Sequence, residues 1–417
     1  MSVVSEKAGN ISLESEIATS APRRGVGPLG SYLSLDDFER AAVRKLPRAI
    51  FGYVSGGVEM EWSKRANREA FASWAFVPRV LQDVSKRSTR WSIFNEEFSA
   101  PFGIAPMGAA GFSAFRADMA LAKAAKRANI PFVLSGSSFI RMEEIRASNE
   151  RAWFQAYLPP GREQTSALVD RVEAAGFDKL VVTVDVPVGG NRENNVRNGY
   201  SSPMRPSLRL ALDGLKHPRW LLDTAFKTLA NGGIPYLENT AATRGLRVLA
   251  ANAERSFTRD SMSWCDLEWL RARWKGKLLL KGVLSPADAS LAREAGVDGI
   301  FVSNHGGRQL DGAVAPLDVL PAIAAEAGNM AVLFDGGIRR GTDVIKALAL
   351  GADFVFIGRP FLFAAAAAHE DGVVHAVDIL KEELRRNLAL LGSKGFGDLE
   401  NRVVPAEGNA ANFAVAR

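Results

Sequence analysis

A base and a fixed positive charge lie close together in residues 303–311, which directly follow the apolar run at 299–302. His305 can take up a proton near neutral pH, where an imidazole titrates. Arg308 follows three residues later and offers a planar guanidinium that suits a carboxylate. Together they suit proton removal from a small acid. Taken alone, the segment is equally compatible with a glycine-rich turn whose His and Arg are solvated.

Composition indicates a globular protein with a large core, since 47% of its 417 residues are hydrophobic and 24% are charged. Lys and Arg number 52 against 46 Asp and Glu, and the net charge of +6 favours an anionic substrate, cofactor or surface. The basic residues are dispersed along the sequence rather than clustered, so no nucleic acid partner is expected.

Cysteine usage and hydropathy indicate where the protein works. Cys265 is the sole cysteine, so an intramolecular disulfide and a cysteine-based metal cluster are impossible, and no metal is expected. A reducing, cytoplasmic location is predicted. Residues 1–30 are polar and lack the apolar segment of a signal peptide, and no apolar stretch is long enough to span a bilayer.

Eight short apolar runs, each ending at a polar or glycine-rich step, predict buried parallel strands. They are 102–105, 132–134, 153–154, 180–184, 278–280, 299–302, 331–334 and 354–357. Amphipathic stretches alternate with them at 117–128, 165–175, 286–295, 317–327 and 342–350, and Gly176, Gly296 and Gly351 end three of the predicted helices. This alternation predicts an α/β fold, a (β/α)8 TIM barrel. A doubly wound open sheet is the alternative, although its glycine-rich fingerprint after the first strand is absent.

The chain is expected to form one barrel domain over 31–401, between poorly ordered tails at 1–30 and 402–417. A helix is predicted over 35–52, capped by Ser34 with Asp37 three residues on. About ninety residues separate the fourth and fifth runs, so a long insertion after strand four is expected at about 200–262. Within it, 204–232 alternates basic and apolar residues, which is typical either of an interfacial surface or of a lid or subunit contact.

Residues that follow the strands of a barrel meet at one mouth. The reactive and glycine positions there are Gly108, Ser135, Gln155, Tyr157, Thr183, Asp185, Lys281, His305, Arg308, Asp335, Gly336, Gly337, Arg339, Gly358 and Arg359. Each has an ordinary structural explanation by itself, as a solvated charge, a helix cap or a strand-end hydrogen-bonding group. Their occurrence after strand upon strand favours one functional site at the mouth.

The loops after the last two strands favour a phosphate group. Residues 335–341 and 357–360 supply approachable backbone amides together with guanidinium groups. Barrels frequently bind phosphate with the loops after strands seven and eight. A phosphorylated cofactor is therefore expected, with a purely structural glycine turn as the alternative.

From about residue 32 to residue 392, the chain resembles the family of FMN-dependent 2-hydroxy acid oxidases and dehydrogenases. The resemblance rests on 303–311, Leu280-Lys281-Gly282, Thr183-Val184-Asp185 and Gly358-Arg359-Pro360, and on 46–53, 104–106, 153–155 and 341–343. It implies that the barrel binds FMN and that the catalytic set is Tyr53, Tyr157, Asp185, Arg192, His305 and Arg308. All six residue types match the family.

The resemblance also implies a role for each member of this set. Arg308 and Arg192 hold the substrate carboxylate, and the Tyr53 hydroxyl adds a directional hydrogen bond. Tyr157 contacts the substrate hydroxyl. Asp185 orients the ring of His305 and stabilises its protonated form, which makes His305 the general base. These residue types fit proton removal from carbon and from the hydroxyl equally well.

Contacts with the flavin are implied in the same way. Lys281 would lie by the pyrimidine, where its charge stabilises negative charge on the ring. The other implied cofactor contacts are Pro106, Met107, Gly108, Ser135, Gln155, Thr183, Ser303, Asp335, Gly336, Gly337, Arg339, Gly358 and Arg359. Ser137 or Ser138 stands where small-substrate oxidases carry a bulky Trp, so a larger, aromatic substrate is expected.

The insertion, with Leu212-Asp213-Gly214 and His217-Pro218-Arg219-Trp220, makes the chain most similar to bacterial mandelate dehydrogenases and next to respiratory L-lactate dehydrogenases. This branch and Gly108 imply an (S)-2-hydroxy acid substrate, a quinone-type acceptor, and a homo-oligomer, commonly a tetramer. The insertion would attach the protein to the inner face of the cytoplasmic membrane. Alternatives are an oxygen-using oxidase, a non-redox FMN-dependent barrel isomerase and a flavin-binding protein without turnover. The complete base and double-arginine set argues against the last two.

Overall fold

A computed structural model describes residues 29–249, 259–399 and 401–406. The segment before the barrel comprises helices α1 (Leu35–Lys45), α2 (Arg48–Ser55) and α3 (Trp62–Glu69), a 3-10 turn at Ala70–Ser73, and strands β1 (Trp74–Phe76), β2 (Trp91–Ile93) and β3 (Glu96–Phe98).

The single helix predicted over 35–52 is wrong in its extent. Pro47 disfavours the helical conformation in the residue before it, and Leu46 is accordingly extended, with φ −91° and ψ 140°. Two helices therefore replace one. The predicted start is confirmed, because the Asp37 carboxylate accepts a hydrogen bond from the Ser34 backbone N–H at 2.8 Å.

The first half of the barrel contains four strands and three helices. They are β4 (Phe102–Ile104), a 3-10 turn at Ala110–Phe112, α4 (Ala117–Ala128), β5 (Val133–Ser135), α5 (Met142–Ser148), β6 (Trp153–Ala156), α6 (Arg162–Ala174) and β7 (Lys179–Thr183). After β7 come α7 (Glu193–Asn198), α8 (Leu208–Leu215), α9 (Pro218–Trp220), a π-helical turn at Leu221–Phe226 and α10 (Lys227–Gly232). Residues 250–258 of the predicted insertion lie outside the described residues.

The second half of the barrel begins with α11 (Trp264–Arg273). It continues with β8 (Lys277–Val283), α12 (Pro286–Glu294), β9 (Gly299–Val302), α13 (Pro316–Glu326), β10 (Ala331–Asp335), α14 (Gly341–Ala349), β11 (Phe354–Ile357) and α15 (Arg359–Leu391). The long helix α15 is interrupted at Ala368 and His369, which have non-helical dihedral angles. A 3-10 turn at Phe396–Asp398 and strand β12 (Val403–Pro405) follow.

The predicted (β/α)8 barrel is confirmed. The eight-stranded sheet has the order β4-β11-β10-β9-β8-β7-β6-β5, and every neighbouring pair is parallel. A parallel bridge between Ile104 and Phe132 joins β4 to the start of β5 and closes the barrel. Gly176, Gly296 and Gly351 follow three barrel helices with φ of +84°, +72° and +110°, a left-handed backbone that glycine adopts without strain.

The barrel interior is filled at its amino-terminal end and polar at its carboxyl-terminal end. One core cluster inside the strands contains Val133, Trp153, Val181, Leu279, Phe301, Leu333, Phe354 and Phe356, together with Ile93 and Phe98 of the β2–β3 hairpin. The hairpin therefore closes the bottom of the barrel. A larger cluster fills the space between the strands and the surrounding helices.

The C-terminal boundary predicted at residue 402 requires correction. Strand β12 pairs antiparallel with β1, with Trp74 opposite Pro405 and Phe76 opposite Val403. Backbone hydrogen bonding between the strands thus holds residues 403–405 against the segment that precedes the barrel. The rest of both predicted tails, 1–28 and 407–417, lies outside the described residues.

Candidate active site

A cavity of about 1160 Å³ opens at the carboxyl ends of the strands, where the sequence predicts the site. Most of the predicted site residues line it, namely Tyr53, Pro106, Met107, Gly108, Gln155, Tyr157, Thr183, Arg192, Lys281, His305, Arg308, Asp335, Gly336, Gly337, Arg339, Gly358 and Arg359. Ser135, Asp185 and Ser303 instead lie behind the wall, where they contact lining residues.

Alternation along the strands brings the polar side chains into one layer. Ser135, Gln155, Thr183, Lys281, Ser303 and Asp335 each follow by two residues an apolar residue of the interior cluster. Residues two apart on a strand point to the same face, so these side chains share the interior at the next level up. Gln155 joins part of the layer, accepting from the Ser135 hydroxyl at 3.1 Å and donating to the Thr183 hydroxyl at 2.9 Å.

Lys281 is a buried cation with two fixed partners. Its ammonium lies 2.7 Å from the Asp335 carboxylate and donates to the Ser303 hydroxyl at 2.8 Å, and that hydroxyl donates to Asp335 at 2.6 Å. Burial alone would lower the pKa of Lys281, but the charges of Asp335 and Asp185 outweigh it and raise that pKa. Lys281 therefore carries a fixed positive charge into the cavity.

The backbone at His305 is unusual, and it sets the direction of the ring. His305, Gly306 and Gly307 have φ of +59°, +67° and +71°, three consecutive left-handed residues. For a residue other than glycine, this backbone conformation costs roughly 1–3 kcal/mol, and it persists only where surrounding contacts enforce it. The turn directs the His305 imidazole back to Asp185, whose carboxylate oxygens lie 3.0 and 3.2 Å from Nδ1. Nε2 faces the hydroxyl of Tyr157 at 3.4 Å.

Electrostatics favour a neutral imidazole. Burial lowers the pKa of His305 below its ordinary value of 6.5, and the charge of Asp185 opposes this only in part. Burial would raise the pKa of the Asp185 carboxyl, but the interaction with His305, together with the positive charge of Lys281, holds that pKa below its usual value. An ionised Asp185 accepts the N–H on Nδ1, which leaves the lone pair of Nε2 free to take a proton.

Gly282 makes the His305–Asp185 contact possible, a role that its Leu280-Lys281-Gly282 motif alone did not predict. Its φ is +111°, and a Cβ built there would lie 2.5 Å from Cβ and Cγ of Asp185. The register between β8 and β9 shifts at this point, between Lys281 and Val283. A glycine inside a strand signals a bulge or a close approach, and that signal was present in the sequence.

Two guanidinium groups face the cavity near His305. Arg308 donates to the carbonyls of Tyr53 and Gly56 at 2.8 and 2.7 Å, and Arg192 donates to the Gln309 side chain at 2.6 Å. Among the described residues, neither arginine has a carboxylate within ion-pair distance. Burial and the nearby charge of Arg192 lower the pKa of Arg308 to about 10, so it stays charged at neutral pH. The pair fits a carboxylate ligand.

Tyr53 and Tyr157 frame this region with phenol groups. The Tyr53 hydroxyl donates to the Gly108 carbonyl at 2.9 Å, and its ring stacks on Tyr200 with centroids 4.3 Å apart. Burial, reinforced by the charge of Asp185, raises the pKa of Tyr157. Tyr157 therefore remains a protonated hydrogen-bond donor. Tyr200, from the start of the predicted insertion, carried no sequence signal for a place in the cavity wall.

A second cationic region follows the carboxyl ends of β10 and β11, and its groups fit the phosphate of FMN. Arg359 donates to the carbonyls of Val54, Gly56 and Gly306 at 2.9–3.0 Å, and within the described ranges it has no ion pair. Burial and the charge of Arg308 lower its pKa to about 9, which indicates a cation that lacks a close anion. At Gly337 a Cβ would lie 1.9 Å from the Asn67 carbonyl oxygen, so only glycine fits that wall. Backbone amides and guanidinium groups are the donors that phosphate prefers.

Of the two serines predicted near the substrate, only Ser137 is among the residues that line this cavity. Ser137 lines the cavity, and a Cβ at Gly108 would lie 3.1 Å from its Cβ. Ser138 is fully buried and accepts a hydrogen bond from the Ile140 N–H at 3.0 Å. The cavity lining also includes the apolar side chains of Tyr200, Met204, Leu237 and Val248.

Comparisons with known proteins agree with this geometry. Residues 42–406 match the protein family described as FMN-dependent dehydrogenase. (S)-Mandelate dehydrogenase of Pseudomonas putida is 39% identical over 381 residues, which cover 91% of this chain and 95% of that protein. L-Lactate dehydrogenase of Pectobacterium atrosepticum is 39% identical over 373 residues, covering 87% and 94%.

Solved structures give the same result. The crystal structure of the monotopic membrane protein (S)-mandelate dehydrogenase matches with a TM-score of 0.80 and 36% identity, over 89% of this chain and 99% of that one. A structure of mandelate oxidase with (S)-2-phenylpropionate matches with a TM-score of 0.74 and 36% identity, over 90% and 98%.

Proposed function

Because the chain belongs to the family of FMN-dependent dehydrogenases, we propose that it oxidises a 2-hydroxy acid of the mandelate or lactate type to the 2-oxo acid. The observation that carries the proposal is a neutral, carboxylate-oriented His305 beside two guanidinium groups without carboxylate partners. FMN, when bound, supplies the two-electron acceptor for the oxidation.

His305 acts as the general base in this proposal. Its Nε2 receives a proton from the substrate, and the ionised Asp185 then stabilises the imidazolium through the bond to Nδ1. The lowered pKa keeps the imidazole unprotonated before the reaction. The unprotonated Nε2, which faces the Tyr157 hydroxyl at 3.4 Å, is therefore the nitrogen that takes up the proton.

The two arginines and Tyr157 would orient the substrate. Arg308 and Arg192 bind its carboxylate, since they are charged and have no competing carboxylate among the described residues. Tyr157, held protonated and 3.4 Å from Nε2, donates to the substrate hydroxyl on the same side as the base. Positioning of this kind converts a chance encounter into a prearranged proton transfer.

The remaining cofactor contacts would hold FMN. Arg339 and Arg359 bind the phosphate with the amides of the loop at Gly336 and Gly337, while Lys281 presents its fixed charge to the ring. Gln155 and Thr183 stand in the same polar layer. In this role, Lys281 favours the accumulation of negative charge beside it.

The substrate would be an (S)-2-hydroxy acid with an aromatic group. Ser137 places a small side chain on the cavity wall, and Tyr200 and Met204 add apolar surface to that wall. A larger apolar substituent would gain about 25 cal/mol for each Å² that it removes from water. The two mandelate-acting enzymes among the structural relatives support the same preference.

A quinone-type compound is the acceptor that we infer for the second half of the reaction. Its support is the similarity to enzymes named dehydrogenases and the Gly108 position. The structural similarity to mandelate oxidase favours the second candidate, in which oxygen is the acceptor. A homo-tetramer remains a prediction from the family resemblance.

We also infer peripheral attachment to an anionic membrane through residues 204–232, which contain α8 to α10. This segment exposes Leu208, Leu212, Leu215, Leu222, Phe226 and Leu229 beside Arg205, Arg209, Lys216, Arg219 and Lys227. Trp220 of the same segment is held inward, since its indole N–H donates to the Phe112 carbonyl at 2.7 Å. None of the helices in the described ranges combines the length and apolar character needed to cross a bilayer.

The oxidation is tested by anaerobic bleaching of the purified, FMN-loaded protein. Mandelate should reduce the flavin faster than lactate, and lactate faster than glycolate. His305→Gln should retain FMN but reduce it about 10²–10⁴-fold more slowly, because the general base is lost. His375→Gln, which alters an imidazole bonded to the Tyr32 carbonyl, is the matched control and should react normally. Wild-type rates in His305→Gln would disprove the assigned base.

The acceptor is tested by stopped-flow reoxidation of the reduced protein. A soluble quinone should reoxidise the flavin faster than oxygen does in air-saturated buffer. Both reactions start from the same reduced sample, so the comparison is internal. Faster reaction with oxygen would reassign the protein as an oxidase.

Membrane attachment is tested by cosedimentation with vesicles rich in anionic phosphatidylglycerol. Each basic residue near such a surface contributes about 1 kcal/mol, so binding should weaken as salt is added. The double variant Leu222→Glu and Phe226→Glu should stay in the supernatant. Leu390→Glu, at a similarly exposed leucine of α15, should sediment like the wild type. A wild type that fails to sediment at low salt would favour a lid or a subunit contact.

A further inference from the structure

The loop that carries His305 is held from outside the barrel by residues 58–69. The Val58 N–H donates to the Gly307 carbonyl at 3.1 Å. The Ser63 N–H donates to the Asp311 carboxylate at 2.9 Å, and its hydroxyl donates to the Leu310 carbonyl at 3.1 Å. The strand end alone therefore does not define this loop, because α3 supplies many of its hydrogen bonds.

The innermost contact is a reciprocal pair of amides. Asn67 Nδ2 donates to Asn304 Oδ1 at 2.7 Å, and Asn304 Nδ2 donates to Asn67 Oδ1 at 2.7 Å. Both residues are buried, with 3% and 5% exposure. In this environment a donor or acceptor that loses its partner is costly, because water cannot replace it.

Asn304 passes this constraint to the turn at His305. Its Oδ1 also accepts the Gly307 N–H at 3.0 Å, and its Nδ2 donates to the Val314 carbonyl at 3.3 Å. The Asn304 side chain thus spans the turn that contains the left-handed residues 305–307. Such a turn needs external contacts to persist, since His305 is strained there.

We propose that Asn67 is a positioning residue for His305, acting through Asn304 to hold the turn in which the imidazole meets Asp185. Neither asparagine is among the residues that line the cavity, and the Asn67 carbonyl packs behind Gly337 of the proposed phosphate loop. The inference rests on the proposed function, because the proposed function assigns His305 as the general base. It ties the reaction to a helix that lies outside the barrel.

Asn67→Asp tests the pair through pH. A carboxylate cannot donate to Asn304 Oδ1, whereas a protonated carboxyl can and restores both hydrogen bonds. Burial raises the pKa of a carboxyl, so the protonated form becomes populated as the pH falls. The charged neighbours on the same helix are already engaged, Lys64 with Glu61 at 2.6 Å and Arg68 with Asp343 at 3.2 Å.

The first readout is the single-turnover rate of flavin reduction per bound FMN, as a ratio of variant to wild type. At alkaline pH, Asn67→Asp should reduce its flavin about 5- to 100-fold more slowly than the wild type. As the pH falls, the ratio of the two rates should rise toward one. Asn67→Ser, which cannot titrate, should be slow at every pH. Ratios near one for both variants at all pH values would overturn the proposal.

Asn149→Asp is the matched control. Asn149 is also buried, at 2% exposure, and donates to the Ala122 carbonyl at 2.9 Å, so the same change removes a buried donor away from the cavity. Its rate ratio per bound FMN should not vary with pH. The same pH dependence in Asn149→Asp would show a general response to a buried carboxyl and would overturn the proposal.

A second readout needs no turnover. The chain has four histidines, and the ring signal of His305 in the NMR spectrum of the FMN-free protein is identified by its loss in His305→Gln. Asn67→Ser should shift this signal and leave those of His217, His369 and His375 in place. An unshifted His305 signal would overturn the positioning role of Asn67. Failure of every 2-hydroxy acid to bleach the wild type would refute only the proposed function, so the two failures can be told apart.

Discussion

Alternation of side chains along parallel strands is the constraint on which the site depends. Residues two apart face the same way, so six apolar residues of the barrel interior are each followed, toward the mouth, by a polar side chain on the same face of the strand. Leu279 precedes Lys281, and Leu333 precedes Asp335, and the two strands place these charges 2.7 Å apart. The packed lower layer therefore also fixes the polar layer above it, and a shift of one residue in either strand would separate the pair.

The site combines several elements that would be unfavourable alone. His305 has a left-handed backbone, Lys281 is a buried cation, and Arg308 and Arg359 are cations partly shielded from solvent. Lys281 is stabilised by Asp335, whereas the two arginines are surrounded by carbonyl oxygens. A cation solvated by carbonyls retains its full charge for an incoming anion. Carboxylate and phosphate are thus the ligands that these two positions would stabilise most.

Much of this arrangement could be predicted from the sequence, because barrel strands and helices have strong local patterns. The runs at 180–184 and 299–302, which correspond to β7 and β9, and the glycine after α6 were readable from hydropathy and glycine placement. What could not be read depends on contacts between distant segments. Asn67 and Asn304 are 237 residues apart, and nothing local distinguishes either asparagine. The inward turn of Trp220 likewise depends on a carbonyl from before α4.

The central claim is that a neutral His305 accepts the proton. It is tested most directly by the pH dependence of flavin reduction at limiting substrate, which reports on groups of the free enzyme. Since the pKa of His305 lies below its ordinary 6.5, the rate constant should be level around neutrality and above. Below that pKa it should fall by about tenfold for each pH unit, as the imidazole becomes protonated. A rate constant that stays level or rises through the acidic range would contradict a neutral base at His305.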